Sequence, residues 1–261
     1  MSKVSNRFAG ISRLYGSSAL EKLQASHVCV IGIGGVGSWA VEALARSAIG
    51  AITMVDYDTV AESNVNRQLH AMSSTLDRKK IHIMRDRILD INQQCKVNLI
   101  DDFINSENLR QIIEQGYDIV IDAIDSIKFK SDIIYCCKRN KIPVISTGGA
   151  GGLTDPTEVK VRDLSSTYND PLAAKVRARL RDEYGYSRKR RTSFGVPCVF
   201  SSQHSVYPKA DGSVSNAKPG IHGVHLDCSM GYGASSCVTS VFGFTAASRA
   251  IDKILGIKKK T

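Results

Sequence analysis

The sequence predicts an α/β fold: a mostly parallel sheet flanked by helices and extended by C-terminal strands and a last helix. Three observations carry this. Short apolar runs alternate with segments of helical periodicity as far as Thr147. The first run, His27-Val28-Cys29-Val30-Ile31, leads straight into the glycine-rich turn Gly32-Ile33-Gly34-Gly35-Val36-Gly37-Ser38. Four acids, Asp56, Asp58, Asp122 and Asp125, fall at or just beyond the ends of apolar runs. Alternating strands and helices imply parallel strands with ligands at their carboxyl edge. A glycine turn between strand and helix lets backbone amides approach phosphate oxygens, so the sheet is expected to be Rossmann-like.

The elements follow in order. After the turn, residues 38–48 have helical patterning, and residues 51–55 form a second strand ending at Asp56. Ile81, Met84, Ile88 and Ile91 recur at helical spacing within 78–92. Residues 97–100 read as a strand, followed by a helix opened by Asn105 or Ser106 and stopped near Gly116. A buried strand, 119–121, ends at Asp122; a helix spans 129–141 and a strand 143–147. Beyond Thr147 the alternation stops. Gly148-Gly149-Ala150-Gly151-Gly152 reads as a flexible turn or a place where backbone packs against ligand, and 158–164 alternates as a strand. A basic helix over 171–184, strands at 196–201 and 205–207, and a helix from 236 to 255 complete the reading. Residues 1–261 are expected to form one domain, with 165–233 an insertion and loops within it.

Composition narrows the classes. A chain of 261 residues, 43% hydrophobic, is enough for one full core. The apolar stretch 234–247 is interrupted by Ser235, Ser236, Ser240 and Gly243 and is shorter than the ~20 apolar residues that cross a bilayer. No basic segment followed by an apolar core marks the N-terminal region, so no secretory signal and a cytoplasmic location are expected. The seven cysteines contain no C-x-x-C pair, which argues against a disulfide framework or a four-cysteine zinc site. His70, His204, His222 and His225 show no metal-ligand spacing.

Lys and Arg number 35 against 25 Asp and Glu, a formal net charge of +10. Much of the excess lies in Lys258-Lys259-Lys260 and in 175–191, which holds Arg177, Arg179, Arg181, Arg188, Lys189, Arg190 and Arg191 with Tyr184 and Tyr186 among them. Basic residues interleaved with aromatics suit a phosphate backbone and unstacked bases; a solvated helix face followed by a loop accounts for the same pattern.

The glycine turn with an acid after the second strand also fits a dehydrogenase, in which Asp56 would hold ribose hydroxyls. Arg67, Gln68 and Lys80 go further: a dehydrogenase has no evident need for cations placed where they can meet a triphosphate. The set favours an enzyme that uses ATP.

These motifs carry a resemblance. The glycine turn, Asp56-Tyr57-Asp58, Ser63-Asn64-Val65-Asn66-Arg67-Gln68, Lys80 and Asp122-Ala123-Ile124-Asp125-Ser126 are similar to the adenylating core of ubiquitin-activating enzymes and their bacterial relatives. Through nearly the whole chain, Arg13-Leu14-Tyr15-Gly16, Ser146-Thr147 with the glycine turn after it, Asp170-Pro171-Leu172-Ala173 and Asp227-Cys228-Ser229 resemble the tRNA threonylcarbamoyladenosine dehydratases. The resemblance implies ATP and Mg2+ as cofactors, a tRNA substrate carrying threonylcarbamoyladenosine beside its anticodon, and a homodimer. It implies that Gly32, Gly34, Gly35 and Gly37 line the phosphates and that Asp56 meets the ribose. Asn66, Arg67 and Lys80 would contact the triphosphate, Gln68 would belong to the same nucleotide site, and Asp125 would hold the magnesium. Asp58 either assists the metal or caps a strand end. Ser126 stands where the family often has Asn.

Arg13, or Arg7, would reach a partner's ATP, Arg13 being favoured. With Arg67, Lys80 and Asp125, Arg13 makes up the expected catalytic set. Arg177, Arg181, Arg188, Lys189, Arg190 and Arg191 are the expected tRNA contacts. Cys29, Cys136 and Cys137 lie in predicted core elements; Cys228 sits in a small-residue loop that could expose a thiol of the kind ubiquitin-type activators carry, although cyclisation does not require one. Two alternatives stay open: an activator of a small carrier protein's C-terminus, with a cysteine desulfurase or sulfur acceptor as partner, and a non-catalytic nucleotide-binding adaptor.

Overall fold

The structure, a computed structural model, describes residues 6–189, 192–209, 211–217 and 233–258. Arg190, Arg191, His222, His225, Cys228, Lys259 and Lys260 lie outside them. In chain order the elements are α1 (Ala9–Tyr15), α2 (Ser17–Gln24), β1 (His27–Ile31), α3 (Gly37–Arg46), β2 (Ala51–Val55), α4 (Lys80–Ile91), β3 (Lys96–Ile100), α5 (Leu109–Ile113), β4 (Ile119–Asp122), α6 (Ile127–Arg139), β5 (Val144–Thr147), β6 (Val159–Asp163), α7 (Pro171–Glu183), β7 (Pro197–Ser201), β8 (Tyr207–Pro208), β9 (Val214–Ser215) and α8 (Ser236–Leu255).

Seven strands form one sheet in the order β3-β2-β1-β4-β5-β7-β6. All neighbours are parallel except β6, which runs antiparallel to β7 at the edge. The central strands are buried on both faces, which is why β1 and β4 read as unbroken apolar runs. Side chains alternate between the faces. Val28 and Val30 join Leu44, Met54, Met84 and Phe242 under α3, α4 and α8. Cys29 and Ile31 join Ile113, Ile134, Leu180 and Phe200 under α5, α6 and α7. The direction of winding reverses between β1 and β4, and this switch point opens a crevice at the carboxyl ends of both strands.

The expected architecture is present, with local differences. The helix expected from Asn105 or Ser106 begins at Leu109, because Asn105 Oδ1 accepts the backbone N–H groups of Glu107 and Asn108 and holds a turn there first. The strand expected at 205–207 is a two-residue ladder, Tyr207–Pro208, where proline supplies no N–H for further pairing. Two short helices, α1 and α2, precede β1 without a sequence signal that marked them. The last helix has the expected bounds: Ser235 Oγ accepts the Cys237 N–H at its start, and Gly256 adopts a left-handed conformation past its end. Among the described residues no helix is long and apolar enough to cross a membrane.

Candidate active site

The crevice is built first from backbone. Gly32 leaves β1 with φ of 87°, and a Cβ on it would come 3.0 Å from the Ala123 carbonyl oxygen. A Cβ on Gly37 would lie 1.8 Å from the Gly32 carbonyl oxygen, so only glycine lets α3 start so close under the turn. The glycine turn and the 123–126 loop after β4 therefore lie against each other, and the N-terminal end of α3 faces the crevice.

Asp56 follows β2 and binds this turn directly. Its Oδ2 accepts the Ile33 N–H at 2.6 Å and its Oδ1 the Asp58 N–H at 2.9 Å. A carboxylate has about four acceptor sites, so capacity for ribose hydroxyls remains. Burial raises the Asp56 carboxyl above its usual range, opposed by Lys80 and by the two backbone donors.

Arg67 and Lys80 are brought to the same crevice by different means. Arg67 is held by neighbours: its Nη1 donates to the Ser63 carbonyl at 2.6 Å and to Asn66 Oδ1 at 3.0 Å. Its own carbonyl accepts Trp39 Nε1–H at 3.0 Å and Thr239 Oγ1–H at 3.2 Å. Asn66 donates from Nδ2 to the Ala234 carbonyl at 2.8 Å. The 63–68 segment is thus pinned between α3 and the start of α8. Sequence reasoning missed Trp39 and Thr239, which only the docking of α8 on α3 brings there.

Lys80, the first residue of α4, is 4% exposed, and its Nζ donates to Asp58 Oδ2 at 2.7 Å. Asp58, for which the sequence offers a metal role or a strand-end cap, serves here as the counter-ion of Lys80. Gln68 Oε1 and both ring nitrogens of His70 are buried without a hydrogen-bond partner. A Cβ on Gly34 would sit 3.9 Å from Gln68 Nε2, so this amide borders the glycine turn. Burial, reinforced by Lys80, lowers His70 to about 4.

Asp125 is exposed in the 123–126 loop, and Ser126 occupies the N-cap position of α6 without a side-chain capping bond. Among the described residues no three His, Cys, Asp or Glu side chains gather as a metal cage. A single exposed carboxylate fits magnesium all the same, because that ion takes one or two carboxylates and fills its octahedron with phosphate oxygens and water.

The remaining expected residues lie apart from this cluster. Arg13 is exposed on α1, whereas Arg7 donates from Nη1 to the Asp90 and Ile91 carbonyls at 2.6 and 2.8 Å, at the end of α4. Arg177 and Arg181 lie one turn apart on α7, half-buried: Arg177 donates to Thr167 Oγ1, and Arg181 lies over the Phe194 ring and donates to the Ser187 carbonyl. Arg188, exposed, pairs with Asp182, and Lys189 is exposed beside it. Tyr184 and Tyr186 do not stand free for bases. Tyr184 donates to Asp132 Oδ1 at 2.6 Å and stacks on Tyr135, while Tyr186 packs edge-on against Phe194. Cys29 and Cys137 are buried in the core as expected, burial pushing the Cys29 thiol up to about 12. Cys136 is partly buried.

Known proteins are similar to this chain in sequence and fold. The ThiF family profile matches residues 6–261. The chain is 48% identical to the tRNA threonylcarbamoyladenosine dehydratase of Escherichia coli, over 95% of this chain and 93% of that one. It is also 48% identical to the enzyme of the same name from Haemophilus influenzae, over 100% of this chain and 98% of that one. A solved structure of the E. coli tRNA threonylcarbamoyladenosine dehydratase in complex with ATP superposes with a TM-score of 0.84 at 45% identity, covering 96% of this chain and 94% of that one. With a profile match from residue 6 to residue 261 and 48% identity over nearly all of both relatives, the chain belongs to the ThiF family, and within it to the tRNA threonylcarbamoyladenosine dehydratases.

Proposed function

We propose that this protein uses ATP to cyclise the threonylcarbamoyl group of threonylcarbamoyladenosine next to the anticodon of tRNA, through adenylation of the threonyl carboxylate. The observation that carries the reading is that Asp56 binds the glycine turn, Arg67 borders it at Gly35 and the buried Lys80 charge acts on Asp56 and Asp58, within a chain 48% identical to dehydratases of that name.

The chemistry asks for such a crevice. A carboxylate is a poor electrophile because its two oxygens share the negative charge. Attack of a threonyl carboxylate oxygen on the α-phosphorus of ATP forms a mixed anhydride and expels pyrophosphate. The neighbouring carbamoyl oxygen then attacks the activated acyl carbon and AMP leaves. A proton is lost from nitrogen, and a five-membered ring closes. Balance is kept without free water: the oxygen removed from the carboxylate departs with AMP.

Lys80 and Arg67 offset charge that grows on the phosphates as pyrophosphate separates. Glycine-turn amides and the α3 N-terminus hold the phosphates, and Gln68, with its unpaired buried oxygen, adds a polar contact beside them. Asp125 would hold magnesium, which when bound would supply Lewis-acid neutralisation of the triphosphate. Ring closure is intramolecular, so it needs orientation more than a protein nucleophile, and no cysteine is assigned to it.

The active form is a homodimer in which Arg13 crosses to the partner's nucleotide. Arg7, engaged with the end of α4, is the weaker candidate for that reach. Arg188, Lys189, Arg190 and Arg191 bind phosphates of the tRNA, with Arg177 and Arg181 contributing. The site of action is the cytoplasm.

The test is mass analysis of tRNA nucleosides after incubation with ATP. Conversion of threonylcarbamoyladenosine to a product lighter by one water supports the reading. Pyrophosphate exchange that depends on a carrier protein and ignores modified tRNA replaces it with the sulfur-pathway activator. ATP binding without turnover on any substrate replaces it with an adaptor.

A further inference from the structure

A lysine and an aspartate, neither with a part in the chemistry above, lie deeper than any other charged pair named here. Lys130, on the first turn of α6, is 1% exposed, and Asp122, the last residue of β4, is 0% exposed. Lys130 Nζ donates to Asp122 Oδ2 at 2.8 Å and to the Asp122 carbonyl at 3.3 Å. Ser146 Oγ on β5 donates to the same Oδ2 at 2.8 Å. Thr147 Oγ1 donates to the Asp122 carbonyl at 3.3 Å, and the Ile124 N–H reaches Asp122 Oδ1 at 3.4 Å.

Stability alone gives little reason for such a pair. Replacing a buried ion pair by apolar groups of similar volume is often neutral or stabilising, because two charges have been stripped of water. Position gives a better reason. The segment 123–126, which carries Asp125 and Ser126, leaves β4 at Asp122 and enters α6 at Ser126. The Ser126 carbonyl accepts the Lys130 backbone N–H at 2.8 Å, so Lys130 grips one end of the segment through its backbone and the other through its ammonium group. The same segment lies against the glycine turn, with the Ala123 carbonyl 3.0 Å from where a Gly32 Cβ would be.

A second buried acid extends the network. Asp170 caps α7 by accepting the Ala173 N–H at 2.8 Å and holds the second glycine turn by accepting the Gly149 N–H at 3.0 Å. Burial raises the Asp170 carboxyl above its usual range, opposed by its backbone donors and by the Lys130 charge.

We propose that Lys130 is a positioning residue which, through Asp122, fixes the 123–126 loop and so aims the Asp125 carboxylate at nucleotide-bound magnesium. The proposal rests on the reading of Asp125 as the magnesium ligand. A clamp on both ends of a four-residue loop restricts its backbone without touching the ion, as outer groups orient metal ligands generally.

The experiment compares the wild-type protein with Lys130→Met, Lys130→Arg, Asp125→Asn and the double variant Asp122→Asn/Lys130→Met. Manganese binding in the presence of ATP, followed by electron paramagnetic resonance, is the main readout; urea unfolding is the second. Lys130→Met is expected to weaken manganese binding by ~10-fold or more, the range seen when groups that orient metal ligands are removed. Lys130→Arg should recover most of that affinity. The double variant should unfold near the wild-type midpoint yet keep the weak metal affinity, since its stability is restored and its clamp is not. Should Lys130→Met alone fail to fold, the double variant and Lys130→Arg make the same comparison. Wild-type manganese affinity in the double variant overturns the proposal, as the pair would then serve only to satisfy itself. If Asp125→Asn binds manganese as tightly as wild type, the reading of Asp125 fails and the proposal falls with it. If Asp125→Asn loses the ion and the double variant does not, only the role of Lys130 is refuted.

Discussion

Replacing Lys80 with methionine separates catalysis from stability at the candidate site. Lys80 is 4% exposed, so its aliphatic stem is packed, and methionine keeps most of that volume. The ammonium it removes pairs with Asp58, whose side chain is 46% exposed. Water can therefore take over the orphaned carboxylate, and because the ammonium removed was itself stripped of water, the net loss should be on the order of 1 kcal/mol. In a domain of this size that moves the melting temperature by only ~2–4 °C. The effect on phosphoryl chemistry should be far larger, because the charge acts in a water-poor crevice on a negative charge that grows in the transition state. Loss of one such donor typically lowers kcat by ~10²–10³, about 3–4 kcal/mol. AMP release with modified tRNA and ATP, measured beside thermal unfolding, gives both numbers. The expected pattern is a large fall in kcat and in kcat/KM together, with a small shift in melting temperature. AMP release within about threefold of wild type, less than 1 kcal/mol of barrier, would refute a transition-state role for Lys80.

Other perturbations test separate parts of the site. Burial lowers His70 from 6.5 to about 4, so the unfolded chain takes up a proton before the folded one does. Its contribution is complete above pH 6.5 and is lost as pH falls toward 4, by up to about 3 kcal/mol; urea unfolding of wild type and His70→Gln across that range should diverge, and parallel curves would show that His70 titrates normally. Asp125→Asn should raise the magnesium concentration needed for turnover more than Asp58→Asn does, since Asp58 is occupied with Lys80; identical magnesium titrations for wild type and Asp125→Asn would remove that assignment. Changing Arg188, Lys189, Arg190 and Arg191 to alanine should weaken tRNA binding and flatten its log–log salt slope by up to ~3, at ~0.7–0.9 per phosphate contact, with ATP affinity unchanged; an unaltered slope would make the cluster a solvated loop. Mixed dimers of Arg13→Ala and Lys80→Met subunits should recover activity that neither variant has alone, because one of the two sites would then hold both residues; no recovery in verified mixed dimers would place Arg13 outside the partner's site.

Much of this molecule was legible in its sequence, for local reasons. Strands buried on both faces must be apolar throughout, so β1 and β4 announce themselves, and a glycine turn after the first strand has few other uses. Asp56, Lys80 and Asp125 stand out because each closely follows a strand or opens a helix, whereas Arg67, well past β2, is singled out by the family motif over 63–68. The sequence also determined the parallel sheet, the bounds of α8 and the core placement of Cys29 and Cys137. What it did not determine depends on contacts between segments far apart in the chain. Lys80 has its partner 22 residues earlier, in Asp58, and the Arg67 carbonyl is held by Thr239, 172 residues later. Tyr184 and Tyr186 looked available to nucleic acid until α6 and the segment before β7 were seen to cover them. Lys130 had nothing in the sequence to separate it from the surface lysines around it. Only packing of α6 on β4 and β5 strips it of water and leaves Asp122 and Ser146 within reach, because desolvation and hydrogen-bond geometry are set by what surrounds a side chain in space.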